Sequence, residues 1–107
     1  MVPDEAEVVF ALNPFALKSK QLTEEEKAIL ETLEVIHGGG GRGDTWALAE
    51  SHWDALVAAT AEGCAEIGVR FVNLSDAPYT GWCFVDEVHT NARGYDIAAS
   101  FLLESLD

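Results

Sequence analysis

Basic residues are scarce in this 107-residue chain: six Lys and Arg stand against 19 Asp and Glu, a formal net charge of −13. Protonating all three His would still leave −10. A surface of that sign repels phosphate backbones and anionic headgroups, so neither nucleic acid nor a membrane surface is expected as a partner. The acid is spread along the chain rather than gathered in one block, which reads as a solvated surface and not as a disordered tail. Cysteine is equally sparse. Two residues, Cys64 and Cys83, are too few for a disulfide framework or a thiolate metal cluster. Cys64 falls on an apolar helical face and reads as a small core residue. Cys83 stands between Trp82 and Phe84 and is open between buried packing and a free thiol. No apolar run reaches the roughly 18 residues needed to cross a bilayer. The first residues, Met1-Val2-Pro3-Asp4-Glu5, are acidic where a secretory leader is basic and then apolar. The expectation is a soluble chain with no export signal or transmembrane segment of its own, its compartment left open. His37, His52 and His89 show no metal-ligand spacing, so no metal and no cofactor is expected.

What is present is enough hydrophobic residue, 49%, to build a core, and a length that fits one domain over residues 1–107. Glu7 to Leu12 is a short apolar run ended by Asn13-Pro14 and predicts a buried strand. Thr23 and Glu26 have the spacing of a capping box, with three carboxylates at the positive end of the helix that follows. Ile29, Leu30, Leu33 and Ile36 then fall on one face, and His37-Gly38 ends the helix. A second helix is predicted from about Thr45 to Ile67. Its stripe is Trp46, Ala49, Trp53, Leu56, Val57, Thr60, Cys64 and Ile67, closed by Gly68 as a cap. Val69 to Leu74 predicts a second strand, Ser75 to Pro78 a turn, and about Asn91 to Leu106 a last helix. Strands separated by helices imply an α/β architecture with parallel pairing, although two strands are few for such a sheet.

The glycine-rich loop between the first two helices, Gly38 to Gly43, formally fits a dinucleotide fingerprint. That motif works between a strand and a helix, and here a helix precedes it. It also departs from a phosphate-binding loop, because Asp44 stands where a lysine must meet phosphate. The loop therefore reads as a flexible joint, with Asp44 or Thr45 capping the helix that begins at Trp46. Trp46 and Trp53, seven residues apart, read as core. His52, between Glu50 and Asp54, reads as solvated.

The chemistry concentrates at Asp86-x-x-His89, on a turn just before the last helix. That is the kind of place, outside the carboxyl ends of parallel strands, where α/β sheets gather ligands. Histidine is a suitable general base because it titrates near neutrality. Asp86 could hold one ring nitrogen, fix the tautomer and stabilise the imidazolium formed during acyl transfer, with the other nitrogen facing a serine hydroxyl. On spacing alone a second reading stays open, in which Asp86 caps the last helix and His89 packs at its mouth.

The wider stretch Phe84-Val85-Asp86-Glu87-Val88-His89-Thr90-Asn91-Ala92-Arg93-Gly94-Tyr95-Asp96-Ile97-Ala98 resembles the C-terminal block of the SGNH hydrolases, the GDSL esterase/lipase superfamily. That block has Asp-x-x-His, often an Asn two residues later, then Gly and an apolar helix with Ala. Val69 to Pro78 looks like the run-up to it, and Val8 to Pro14 is similar to the fold's penultimate core strand. The resemblance implies the C-terminal half of a flavodoxin-like three-layer sandwich with a parallel sheet, its N-terminal strands missing. It implies ester hydrolysis, with His89 as general base and Asp86 as its orienting acid. The small ester substrate would be accepted once an N-terminal half completes the site. The family's Gly-Asp-Ser nucleophile block and the Gly and Asn of its oxyanion hole have no match here. Gly43-Asp44-Thr45 resembles the triplet but carries Thr, sits mid-chain and follows a helix. Ser75, before Asp76, reads as a turn residue, and Asn13, before Pro14, does not fit the oxyanion pattern. Two expectations follow: half of an esterase site, or a noncatalytic α/β interaction module derived from that fold. In either case Val8, Phe10, Leu12 and Phe71 are expected to leave apolar surface at a sheet edge through which the chain can self-associate.

Overall fold

The computed structural model describes residues 6–36 and 41–107. The chain is mixed α/β. Strand β1 (Val9–Leu12) leads into a one-turn helix α1 (Ala16–Ser19), then α2 (Glu24–Ile36) and α3 (Gly41–Glu66). Strand β2 (Arg70–Asn73) follows, then a 3-10 turn (Leu74–Asp76), a long irregular stretch, and α4 (Ala92–Ser105). The two strands pair in parallel, with Val9 opposite Arg70 and Leu12 opposite Asn73. Among the described residues each strand has a single hydrogen-bonded neighbour.

The elements follow local chemistry closely. α2 starts where the capping box places it: Glu26 N–H donates to Thr23 Oγ1 at 3.2 Å, and Thr23 N–H donates to Glu26 Oε1 at 2.8 Å. Its predicted end at His37-Gly38 lies outside the described residues, as do the first three glycines of the glycine-rich loop. α3 begins earlier than the sequence implies, at Gly41, so Thr45 lies inside the helix rather than at its cap. Along α3 the face that turns inward runs Trp46, Ala49, Trp53, Val57, Thr60 and Cys64. Leu56 is 49% exposed because it falls beside that stripe. Ile67 is 75% exposed because the helix has already ended at Glu66. The ending itself is a Schellman arrangement: Val69 N–H reaches back to Cys64 O at 2.9 Å and Gly68 N–H to Ala65 O at 3.3 Å. Gly68 has φ +74°, a left-handed conformation that a side chain would strain.

The core does not lie where a parallel sheet would place it. Phe10 and Phe71 stack on one sheet face with ring centroids 6.2 Å apart, yet Phe10 remains 45% exposed. α3 packs against β2, where Val72 is buried. The tightest packing lies beyond the carboxyl ends of both strands. There Ala16, Ala77, Tyr79, Cys83 and Phe84 form a buried cluster with Leu22, Ile97, Ala98 and Phe101 around it. Phe15, 1% exposed, is wedged against Trp46 and Trp53 at centroid distances of 5.6 and 5.1 Å, so both tryptophans are packing residues. The radius of gyration is 15.7 Å, above the roughly 13 Å of a well-packed domain of this length.

Candidate active site

The segment after β2 is irregular but tightly tied. An antiparallel bridge joins Phe84 to Thr90, and Val85 N–H donates to His89 O at 3.0 Å. One residue further on, Asn91 N–H donates to Cys83 O at 2.8 Å, and the Asn91 side-chain amide donates to Trp82 O at 2.9 Å. Asn91 also caps α4, its Oδ1 accepting from Gly94 N–H at 3.0 Å. Gly94 must be glycine for a steric reason: a Cβ there would stand 2.6 Å from Cys83 O and 2.8 Å from Thr90 Cβ. Residues 84–90 thus form a closed loop seated on the first turn of α4. Ala16 N–H, donating to Glu87 O at 2.7 Å, pins it to α1.

Asp86 organises this loop from inside. One carboxylate oxygen accepts from Val88 N–H at 2.8 Å and His89 N–H at 2.7 Å, the Asx-turn pattern. The other oxygen lies 2.7 Å from His89 Nδ1. Burial pushes the Asp86 carboxyl up. Hydrogen bonds from Val88 N–H, the His89 ring and His89 N–H outweigh that effect and hold it below the ordinary carboxylate range. A carboxylate can only accept, so the shared proton belongs to Nδ1, and in the neutral ring Nε2 is left as the acceptor. Asp86 does not cap α4, since Asn91 does. The His89 side chain is 73% exposed and the Asp86 side chain 29%.

His89 stands at the rim of a cleft of about 410 Å³. Pro14, Leu74, Val88, Tyr95 and Leu102 line it together with two alanines of α4, and Asn13 and Thr90 are further polar members. Among the described residues the His89 ring has one hydrogen bond, from Nδ1 to Asp86, and none to a hydroxyl or thiol. Ser75 is 4% exposed and its Oγ accepts from Phe15 N–H at 2.9 Å; it lines a different cavity, beside Lys18 and Trp53. His52 is exposed on α3, its Nδ1 3.1 Å from Leu48 O. Cys83 is a free thiol and is also fully buried, with Sγ 3.2 Å from Thr80 O, so both readings of that residue hold together. Among the described residues no three His, Cys, Asp or Glu side chains gather as metal ligands, and no helix is long and apolar enough to cross a membrane.

One participant was legible only in part. Glu26 is 1% exposed, and its second oxygen accepts from the backbone N–H groups of Cys83 at 2.9 Å and Phe84 at 3.0 Å. Lys20, its side chain 6% exposed, donates to the first oxygen and to Gly81 O, the latter at 2.7 Å. Burial raises the Glu26 carboxyl, but the Lys20 ammonium and the amides of Thr23, Cys83 and Phe84 prevail and lower it to about 2. The capping-box spacing accounts for one oxygen of Glu26, and nothing in the spacing marks the other. No protein-family model, no curated protein and no solved structure matches the chain.

Proposed function

We propose that this chain carries the general-base half of an ester hydrolase site of the SGNH type, on part of a flavodoxin-like three-layer sandwich. His89 is the base and Asp86 its orienting acid. The serine nucleophile and the oxyanion donors come from another segment or another chain. In that reading a serine hydroxyl lies against His89 Nε2 and attacks the ester carbonyl as Nε2 takes its proton. Asp86 stabilises the imidazolium, which then returns the proton to the departing alcohol. The carrying observation is the 2.7 Å contact between Asp86 and His89 Nδ1, with the ring at the mouth of a cleft. The resemblance of residues 84–98 to the superfamily's C-terminal block supports it from the sequence.

A second reading is a noncatalytic interaction module built on the same fold. The observation that favours it is the apolar surface on α4 and the sheet, where Tyr95 is 69% and Phe10 45% exposed. Hydrolysis of p-nitrophenyl acetate separates the two. The 107-residue chain alone is expected to show no turnover that His89→Ala removes, because a base without nucleophile and oxyanion donors does no acyl transfer. The same chain joined to the sequence that flanks it in its gene should turn the ester over, and His89→Ala should abolish that activity. An inactive longer polypeptide would leave the interaction module as the reading. Turnover by the short chain that depends on His89 would bring Ser75 and Thr45 back as nucleophiles.

A further inference from the structure

We infer that Glu26, braced by Lys20, is the positioning residue of the Asp86–His89 pair: its carboxylate grips the amides of Cys83 and Phe84 and so sets where the following loop carries the aspartate. The purpose of this positioning rests on the base-half reading above, but the mechanical claim does not.

A carboxylate offers about four acceptor sites. Glu26 fills them with donors from three places: Thr23 N–H at the start of α2, the ammonium of Lys20, and two consecutive amides 57 and 58 residues away. Those two amides belong to the last residues before the loop turns outward. Phe84 is the residue bridged to Thr90, and Asp86 is two positions on. Lys20 holds the same segment from its other end through Gly81 O. The brace and the pair are therefore separated by one residue, Val85, whose own N–H is bonded to His89 O. A buried ion pair contributes little net stability after desolvation, and apolar residues of the same volume often serve as well or better. Four convergent donors do something apolar residues cannot, which is to fix one register for a stretch without regular secondary structure.

The test uses the whole 15N-labelled chain and no ester. Glu26→Gln keeps the size but replaces one oxygen by an amino group, so one pair of donors then faces donors. His89 should change from a single Nδ1–H tautomer to a mixture, read from long-range correlations to its ring nitrogens. The amides of Val88 and His89, both bonded to Asp86, should exchange at least roughly tenfold faster relative to Ala58–Thr60 in the middle of α3. Lys20→Met leaves the carboxylate with its three amides and should shift both readouts in the same direction by about threefold, which keeps the inference testable if Glu26→Gln does not fold. A folded variant of either kind that melts earlier, but keeps the wild-type tautomer and exchange ratio, would overturn the inference and leave Glu26 as an ordinary stabilising residue. The ester assay judges the esterase reading separately, so each can fail without the other.

Discussion

The two ends of the sheet are built differently. Beyond the carboxyl ends of the strands, Phe15, Ala16, Ala77, Tyr79, Cys83 and Phe84 are buried, and nearly every backbone group of residues 81–91 named above has a partner. Just before β1 and at or just past the far ends of α2 and α3, apolar side chains face outward: Val8 43%, Val35 80%, Ile36 68% and Ile67 75% exposed. Parallel sheets are ordinarily covered on both faces, because their crossovers lay helices over them. Here the covering is spent on the loop that carries Asp86 and His89 instead. The lesson is that order in this molecule follows a polar clamp and an aromatic cluster more than it follows the sheet.

Substitution at matched aromatic positions is the strongest way to break that contrast. Phe84→Ala removes a 1% exposed ring from the middle of the cluster and should cost about 3–5 kcal/mol in urea denaturation. Phe10→Ala, on the sheet, should cost less than about 1 kcal/mol. Equal losses at the two sites would mean that the sheet side is also buried in solution and that the contrast is false.

Acid should release the loop side first. Glu26 titrates at about 2 instead of the ordinary 4.5, and Asp86 is also lowered. For carboxyls whose folded pKa is depressed, the stabilisation is complete above the unfolded value and is lost as pH falls through the folded one. Stability should therefore fall between about pH 4.5 and 2, with Glu26 accounting for on the order of 3 kcal/mol. Glu26→Gln should be weaker at neutral pH and show a shallower acid limb. An acid limb of unchanged steepness in that variant would place the titrating group elsewhere.

The smallest effect belongs to the sheet edge, where the exposed Phe10 and Val8 should drive weak self-association that Phe10→Asp reduces. Sedimentation over a range of concentrations checks this, together with the shape of the thermal transition. A strictly monomeric chain with one sharp cooperative melt would show that the chain buries its own core and would remove the half-domain reading.

Sequence spacing carried the elements a long way. The alternation of Trp46, Trp53, Val57 and Cys64 marks the inner face of α3, and the capping box marks the start of α2. The early start of α3 at Gly41 was not legible, because Gly41 and Gly43 disfavour a helix locally and the chain is helical at both all the same. The exposure of Leu56 does not follow from the apolar spacing because the stripe that turns inward is narrower than the run of apolar residues, and that of Ile67 because the helix ends one residue earlier, at Glu66.

The Asp86–His89 contact was close to determined by sequence: a three-residue spacing on a turn lets one carboxylate bond both the amide and the ring of the same histidine. The start of α2 and the cap at Asn91 are local matters of the same sort, decided by side chains within a few residues of one another. What only the tertiary structure decided is how that pair is held and what it faces. The second oxygen of Glu26 finds its donors 57 and 58 residues away, and the cleft wall joins Pro14, Leu74 and Leu102 from three separate segments. Such meetings have no periodicity to announce them, since they depend on loop closure across α3 and β2. Burial then makes an unpaired amide costly enough that the fold must supply an acceptor from wherever one can reach.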